Sequence, residues 1–389
     1  MKNDGEFVPT KLTLLTILLA STLMLLGGAA VAPALPQIQI AFPDADPMFI
    51  DMVITLPPLA IAVSGLLIGM LADRLGKVKV LIPSLLIFAV AGLTGYFLDD
   101  LWLLLAGRFF VGIGIAGISA CCTALITEYY NGDRRVKILG YQTAAMGIGI
   151  LFLEIGGGTL AEFGWHEPFL IYAVGLLIFL MALVSVKEPV NKDRGEIEDS
   201  GKFNRKAVIA CYAGAFLLMM AMFSVPTKLA AFMVETVDAS PAITGILLGL
   251  NGVMNSAMCL AYWPISFRIP RKYILGIAFT LMGAGLLCFF FANDIPTVLL
   301  CLFLVGMGLG LGTTTIVNIL SSSVSPTRSG MIMGGYATFL NLGMFTATFV
   351  VAALIALSGD LRGMYVSMGA VAVVSAALFF VVIPRVDRA

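Results

Sequence analysis

The sequence predicts an all-α membrane protein with twelve transmembrane helices in two pseudo-symmetric bundles of six. Three observations predict this fold: an apolar composition, twelve apolar runs of membrane-spanning length, and landmarks of the first half that return in the second. Of the 389 residues, 60% are hydrophobic and only 12% are charged. Soluble domains carry about 25% charged residues, so this chain has too few of them to face water over its whole surface.

The twelve runs are about 20 residues long or longer, the length that a helix needs to cross the hydrocarbon core of a bilayer. The predicted spans are 12–35, 48–72, 78–98, 101–127, 138–162, 168–186, 207–234, 241–265, 273–292, 296–320, 330–357 and 362–383. The first run is longer than the core of a secretory signal and lacks a clear cleavage site, so we expect it to remain as the first helix.

Charge is divided between two alternating sets of connecting segments. One set contains most of the bases, namely Lys2, Lys11, Arg74, Lys77, Lys79, Arg134, Arg135, Lys137, Arg268, Arg271, Lys272, Arg328, Arg385 and Arg388, with six more at 187–206. The opposite set is acidic and contains Asp44, Asp46, Asp99, Asp100, Glu167, Asp238, Asp294 and Asp360. Cytoplasmic segments are enriched in Lys and Arg, so we expect a multi-pass protein of the plasma membrane with both termini in the cytoplasm.

The polar segment 187–206 separates two similar halves. We expect an N-terminal six-helix bundle at 1–186 and a C-terminal one at 207–389, joined by this segment as a cytoplasmic linker. A duplicated unit repeats its landmarks at one fixed spacing. At an offset of 194 residues, DRLGK aligns with FRIPR and VGIGI aligns with VGMGL. Repeats of this kind, with a site at the midplane between them, are an architecture of transporters.

The segment GMLADRLGKVKV concentrates charge between the second and third spans. With this segment, the order of features resembles the major facilitator superfamily over essentially the whole chain. The signature after the second helix of that family is Gly, three residues, Asp, Arg or Lys, one residue, Gly and two bases. Gly69, Asp73, Arg74, Gly76 and Lys77 match the signature, and a valine stands where the second base belongs.

Two further segments resemble the twelve-helix drug:proton exporters of the family. APALPQI at 32–38 is similar to the end of their first helix, and RFFVGIGIAG at 108–117 is similar to their fourth-helix motif. The resemblance implies a secondary transporter that works by alternating access, with a small-molecule substrate, protons and the lipid bilayer as partners and no cofactor. We also expect a functional monomer, and no nucleic acid as a partner because Lys plus Arg equal Asp plus Glu at 23 each.

The matched signature is expected to form a turn that acts as a cytoplasmic gate. Gly76 allows a sharp reversal with a positive backbone dihedral angle, and Gly69 leaves room for another helix to approach. The resemblance implies that Asp73 is a latch, which accepts hydrogen bonds from the N-terminal end of a helix in the other half. The alternative is a turn in which Arg74 and Lys77 only set the topology.

Two charged side chains are predicted to lie inside the bilayer. Arg108 follows the start of the fourth helix by about seven residues, and Glu154 precedes the outer end of the fifth by about nine, so both lie about 10–13 Å below the outer surface. An ionised side chain without a partner costs at least about 2.5–3.5 kcal/mol at such a position. A mutual ion pair, or a shared water-filled cavity, would remove this cost.

Glu154 also marks a departure from the exporter pattern. Their fifth-helix motif is Gly, three residues, Gly-Pro, two residues and Gly-Gly, and here Leu153 and Glu154 replace the central Gly-Pro. Our interpretation is that Glu154 loads and releases a proton as its environment changes, with Arg108 as its partner or as an anion-binding group. The alternative is a static pair that joins the fourth and fifth helices.

Polar residues of the eighth helix share one face, because Asn251, Asn255 and Tyr262 recur at helical spacing. Together with Asn341 of the eleventh helix, they are candidates for lining a cavity. The alternative is hydrogen bonding between helices, worth about 0.6 kcal/mol per bond. Lys228, near the outer end of the seventh helix, is expected to be an interfacial charge rather than a binding group.

Other chemistry has little support in the sequence. The single His166 has no cluster of ligands around it, so no metal site is expected. The glycines at 112–117 lie in a membrane span with no strand before them, which argues against a dinucleotide site, and no phosphate loop is present. We therefore expect no enzyme.

For the direction of transport, we expect proton-coupled efflux of amphipathic compounds or drugs, with uptake or exchange of a small solute as the alternative. The first-helix and fourth-helix motifs favour export, whereas the lost Gly-Pro favours uptake or exchange of a small solute, such as an anion held by Arg108. A membrane sensor without transport is a more remote alternative.

Overall fold

The part of the chain that the computed structural model describes, residues 9–28, 30–189 and 203–386, folds into thirteen α-helices. They are α1 Lys11–Thr22, α2 Leu35–Ala41, α3 Pro47–Leu75, α4 Lys77–Phe97, α5 Leu101–Tyr129, α6 Gly132–Leu160, α7 Ala173–Ser185, α8 Arg205–Val237, α9 Pro241–Arg268, α10 Arg271–Cys288, α11 Ile295–Ser323, α12 Pro326–Ser358 and α13 Leu361–Val386. Eleven helical segments in these ranges are long and apolar enough to cross a membrane, which confirms the predicted all-α membrane fold. Residues 190–202 of the predicted linker lie outside the described part.

Local sequence explains where several helices begin. Asp46 accepts a hydrogen bond at the start of α3, and a proline occupies the first helical position there. The carboxyl of Asp100 accepts from the backbone N–H of Leu103 at 2.9 Å, and that of Asp294 accepts from Thr297 at the same distance. The hydrogen bonds from Thr297 lower the pKa of the exposed Asp294 carboxyl. Each aspartate thus stabilises the N-terminal end of a long helix.

The helices of the second half repeat those of the first. α9, α10, α11 and α12 each begin 194 residues after α3, α4, α5 and α6. The two capping aspartates obey the same offset, because one precedes α5 and the other precedes α11. The internal repeat predicted from short sequence landmarks therefore extends to whole helices.

The first predicted span departs from this repeat because its middle is not helical. α1 ends at Thr22 and is followed by one 3-10 turn at Leu23–Leu25; helical structure resumes with a second 3-10 turn at Ala32–Ala34, which leads into α2. Its counterpart α8 is a single helix of 33 residues. Gly28 lies in the interruption, where a side chain would meet the Ile54 side chain at 2.8 Å. The expectation of one continuous helix over 12–35 is therefore wrong, since hydropathy does not detect a break within an apolar run.

The connections between helices lie at two ends of the molecule, which we name by their charge. The basic end holds the connections at residue 76 and at 130–131, 269–270 and 324–325. The acidic end holds those at 42–46, 98–100, 161–166, 238–240, 292–294 and 359–360.

The two halves of the chain touch near the acidic end. α6 crosses α9 there, and a side chain at Gly158 would lie 2.5 Å from the Pro241 carbonyl oxygen and 3.0 Å from the Gly245 Cα. Further along the same crossing, a side chain at Gly147 would lie 2.7 Å from the Ser256 hydroxyl. The absence of side chains on these glycines lets the two backbones approach closely.

Towards the basic end, α3, α6 and α12 each have open space beside a glycine. A side chain added at Gly69 of α3, Gly140 of α6 or Gly334 of α12 would meet nothing within 4 Å. Contacts between the halves are thus made near the acidic end and in the middle of the molecule. The structure is a conformation that is closed at the acidic end and open at the basic end.

Replacing Gly245 with valine is expected to weaken the contact between α6 and α9. The new side chain would press on the Glu154 carbonyl and the Gly158 backbone, which cannot rotate out of the way. Overpacking of this kind costs about 1–3 kcal/mol. Thermal unfolding of the detergent-solubilised protein should therefore show a lower melting temperature. Gly140→Val, which adds the same side chain in open space, is the control, and equal melting of the two variants would contradict the prediction.

Candidate functional site

Arg108 of α5 is one of the most buried side chains of the described chain, with 1% of its surface exposed. Its Nε–H donates to the carbonyl of Val53 in α3 at 2.9 Å. The usual helical partner of that carbonyl is missing, because Pro57 stands four residues later and has no N–H to donate. Arg108 therefore satisfies a backbone group that proline leaves open inside the membrane.

The same guanidinium also binds the interruption of the first span. Its Nη2 donates to the carbonyl of Gly27 and, at 2.8 Å, to the hydroxyl of Tyr172. That hydroxyl in turn donates to the Leu26 carbonyl at 2.8 Å. The guanidinium carbon lies 5.0 Å from the centre of the Tyr172 ring. Sequence reasoning missed Tyr172, although a tyrosine hydroxyl in an apolar run is itself a signal, since it needs a partner when buried.

A similar link occurs at the equivalent place in the second half. Asn251 of α9 is 2% exposed, and its Nδ2 donates to the Leu302 carbonyl of α11 at 2.7 Å. At the 194-residue offset, Asn251 corresponds to Pro57 and Leu302 corresponds to Arg108. One polar side chain thus joins α3 with α5 in the first half and α9 with α11 in the second. The donor lies on the later helix of the pair in the first half and on the earlier helix in the second. For Asn251, the structure has the hydrogen bond between helices that the sequence left as an alternative.

Glu154 lies in α6 where this helix crosses α9, between the two halves of the chain. It is 6% exposed, and its buried Oε2 has no hydrogen-bond partner among the residues that the structure describes. A side chain at Gly245 of α9 would lie against the Glu154 carbonyl oxygen. A carboxyl group is thus held at the contact between the halves without a charge to compensate it.

The predicted ion pair between Arg108 and Glu154 is not formed. The donors of Arg108 point to α3, to Tyr172 and to the interrupted span, and only its Nη1 lacks a partner in the described chain. The two side chains are therefore similar in depth but belong to different contacts. Arg108 lies inside the first half, whereas Glu154 faces the second.

A buried ion pair that the sequence reasoning missed joins the halves. The Lys228 ammonium of α8 lies 2.8 Å from Oδ1 and 2.7 Å from Oδ2 of Asp51 in α3. Asp51 is 3% exposed and Lys228 is 9% exposed. The expectation that Lys228 is an interfacial charge is therefore wrong. The available signal was an aspartate five residues into an apolar helix, whose charge needs a partner.

One turn further along α3, a second contact joins the halves. The hydroxyls of Thr55 and of Thr348 in α12 lie 2.5 Å apart, and both residues are fully buried. At the 194-residue offset, Thr348 corresponds to Glu154. The crossing of α3 with α12 and the crossing of α6 with α9 are thus equivalent, but only the second holds a carboxyl group at this position.

The predicted turn at the basic end is present and is stabilised by a residue that the sequence did not suggest. Gly76 has φ +112°, the positive value expected for a sharp reversal. The Glu188 carboxylate accepts from the backbone N–H groups of Lys77 at 2.6 Å and of Val78 at 2.9 Å. It thereby places a negative charge at the N-terminal end of α4, where the helix dipole favours it.

Asp73 makes no latch in this conformation. It is exposed and pairs with Lys77 of its own half at 3.4 Å, while Lys77 also pairs with Glu128 at 3.0 Å. The close helix expected beside Gly69 is absent from the described structure, because a side chain there would meet nothing. Arg74 is exposed as well. The gate residues therefore belong to the open basic end.

The other predicted cavity residues lie in different surroundings. Tyr262 is buried in a cluster with side chains of α10 and α11, so it faces its own bundle. Asn341 is largely buried and donates to the Ala337 carbonyl of its own helix at 2.8 Å. Asn255 is half-buried and lies near the Cys259 thiol. A cavity-lining role for Asn255 and Asn341 stays a prediction.

The sequence of both halves matches a known family. The family model described as Major Facilitator Superfamily matches residues 17–263 and 211–389. The chain belongs to the major facilitator superfamily. It is therefore a multi-pass membrane transporter of the superfamily, as the signature near Gly76 predicted.

Relatives of this superfamily member include drug-resistance proteins. It is 27% identical over 395 residues to the class C tetracycline resistance protein of Escherichia coli, with 96% of both chains covered. It is 25% identical over 342 residues to the quinolone resistance protein NorA of Staphylococcus aureus strain COL, with 85% of this chain and 87% of the relative covered. The similarity therefore extends over nearly the whole length of each relative.

Solved structures of the superfamily share the fold. A bacterial homologue of the human lysosomal transporter Spinster, in an inward-facing and occupied conformation, matches with a TM-score of 0.79, 16% identity and 96% coverage of both chains. The nucleoside transporter NupG matches with a TM-score of 0.77, 13% identity and coverage of 95% of this chain and 99% of that one. At these identities, the likeness establishes the fold alone.

Proposed function

We propose that this superfamily member exports amphipathic compounds from the cell in exchange for protons. The observation that carries the proposal is Glu154, a carboxyl group buried at the contact between the halves without a partner in the described chain. The names of the tetracycline and quinolone resistance relatives support the class of compound. The first-helix and fourth-helix motifs support the same direction of transport.

Glu154 is proposed as the group that carries the coupling proton. An ionised carboxylate without a partner costs at least about 2.5–3.5 kcal/mol inside a bilayer, so we assign it a proton in the conformation closed at the acidic end. When α6 and α9 separate, the same group meets water at the acidic end and takes up a proton there, and entry of substrate through the open basic end displaces that proton to the basic side. Movement of the halves and the proton load of one residue are then linked.

The orientation follows from the distribution of bases. We propose that the basic end is cytoplasmic, with both termini on that side of the plasma membrane, because Lys and Arg favour cytoplasmic segments. The open basic end then accepts substrate from the cytoplasm. The two predicted bundles, 1–186 and 207–389, are proposed to rock against each other around their contacts, and one copy of the chain is sufficient for this.

Uptake of an anion has less support from the geometry. Binding of an anion by Arg108 would require free N–H donors, but its Nε and Nη2 already donate to two carbonyls and the Tyr172 hydroxyl. Only Nη1 lacks a partner among the described residues, and it is buried. The arginine is therefore better suited to holding the backbone than to binding a solute.

Flux measurements test the proposed function. Purified protein in liposomes with an imposed pH gradient should accumulate tetracycline or a quinolone against its concentration gradient, and dissipation of the pH gradient should stop it. Equal drug accumulation with and without the pH gradient would contradict proton exchange. Thermal stabilisation by these drugs without any flux would contradict transport and favour a sensor.

A further inference from the structure

Asp51 and Lys228 form an ion pair that joins the two halves, and both side chains are nearly inaccessible to solvent. Among the described residues, it is the one such pair between the halves. We propose that this pair is a charge lock: the acidic end closes around the two charges together but not around one of them alone, and this requirement sets the balance between the two conformations of the transport cycle. The inference rests on the proposed alternating-access transport. It concerns a different contact from that of Glu154.

The position of the pair requires it to break in every cycle. Asp51 lies in α3 of the first half and Lys228 in α8 of the second, 177 residues away along the chain. The hydrogen bonds of Arg108 and Asn251 stay within one half, so they survive a rocking motion unchanged. The lock crosses the boundary, and separation of the halves at the acidic end therefore pulls its charges apart.

The surroundings leave each partner dependent on the other. Lys228 is the cation that contacts Asp51, and the other charged neighbour within electrostatic range is the acidic Asp46, which caps the same helix. Tyr365 of α13 also lies within electrostatic range, but its buried hydroxyl has no hydrogen-bond partner in the described residues. Among the described residues that act electrostatically on Asp51, Lys228 is thus the cation, and Asp46 and Tyr365 offer no positive charge in its place.

The energetics favour a switch over permanent adhesion. Burying two ions removes their hydration, and mutual attraction only offsets this when both are present. Removal of one charge leaves the other buried and uncompensated, which strongly disfavours the closed arrangement. When the acidic end opens, both ions regain their hydration. The conformation that is open at the acidic end therefore tolerates the loss of either partner.

The lock also makes the transporter asymmetric. At the 194-residue offset, Asp51 corresponds to Gly245 and Lys228 to Ala34, so the second crossing has no copy of the pair. The neutral contact of Thr55 with Thr348 lies one turn deeper and aligns α3 with α12 without depending on charge. The ion pair between α3 and α8 therefore has no counterpart at the equivalent place in the repeat.

Cysteine labelling of the full-length protein in liposomes tests the lock. Thr348→Cys places a thiol at the contact, where Thr348 is fully buried in the closed conformation. A membrane-impermeant maleimide is added on the side of the acidic end, and mass spectrometry separates this thiol from the native cysteines by peptide. Labelling of Asp44→Cys, at an exposed site on the same end, corrects for the amount of accessible protein.

We expect Asp51→Asn to raise the labelling rate of this thiol on the order of tenfold, a shift of about 1.4 kcal/mol towards the open conformation. The double variant Asp51→Asn with Lys228→Met should return the rate close to its original value, because no lone charge remains. Asp44→Asn, which removes an exposed charge at the same end, should change nothing. Melting temperatures of all variants report whether they fold.

Two outcomes would overturn the lock. One is an unchanged labelling rate in a folded Asp51→Asn variant. The other is a double variant as fast as Asp51→Asn alone, since Asp51 would then not act through Lys228. The assay needs neither drug nor pH gradient, so its failure is distinct from failure of the proposed export.

Discussion

Glu154→Gln is expected to abolish transport driven by a pH gradient while leaving the protein folded. The amide keeps the size and polarity of the side chain but cannot take up or release a proton. Removal of a group that transfers protons lowers rates by about 100-fold or more, so drug accumulation in liposomes should fall to background. The drug should still raise the melting temperature of the variant, because binding does not need the proton.

Glu162→Gln is the matched control, since it removes an exposed carboxylate near the end of the same helix. It should keep the accumulation of the unmodified protein. If Glu154→Gln still accumulated the drug in response to the pH gradient, Glu154 would not carry the coupling proton, and another carboxylate at the contact between the halves would have to do so.

Arg108→Ala is expected to destabilise the fold more than any exposed substitution. It removes the donors to the Val53 and Gly27 carbonyls and one partner of the Tyr172 hydroxyl. Each buried polar group left without a partner costs about 1–3 kcal/mol, so the two carbonyls alone predict a loss of about 2–6 kcal/mol. Thermal unfolding in detergent should show a large drop in melting temperature.

Arg108→Lys separates charge from geometry. The ammonium restores the positive charge but cannot reproduce the planar fork of donors, so we expect only partial recovery of stability. Arg74→Ala, at an exposed position of the basic end, should melt like the unmodified protein. If Arg108→Ala melted normally and lost only transport, the arginine would act on substrate or protons rather than on the backbone.

The fold could be predicted from the sequence because the bilayer leaves few choices. Helices satisfy their own backbone in lipid, and apolar runs therefore predict spans directly. The interruption after Thr22 was not predicted, because it depends on side chains from elsewhere. Arg108 and Tyr172 supply the hydrogen bonds that the broken helix lacks, and neither belongs to that span.

The sequence predicted how deep Arg108 and Glu154 lie in the membrane, but not which neighbouring helix each side chain faces. Counting residues from a membrane edge gives the height of Arg108 and Glu154, since each residue rises about 1.5 Å. It does not give the rotation of each helix about its axis. α5 packs against α3 and α4, whereas α6 packs against α9, so neighbouring spans in sequence turn these two side chains to different partners.

The buried Asp51 signals that it needs a partner, but the sequence does not identify Lys228 as that partner, for a related reason. The two residues lie in different halves, and the 194-residue repeat does not relate them. A repeat predicts the residues that both halves share, whereas neither Asp51 nor Lys228 is repeated in the other half. The turn at Gly76 was predictable, since its glycine acts locally, but its cap by Glu188 was not.

The crossing of α6 with α9 at Gly158 and Gly245 is a contact between two backbones. At Gly158 and Gly245 the two backbones touch with no side chain between them, so little compression is available there. Parting of the halves at the acidic end, which the proton exchange of Glu154 requires, therefore has to separate the two backbones themselves, because no flexible side chain between them can absorb part of the movement. The contact is accordingly either made or broken, with little room for intermediate positions.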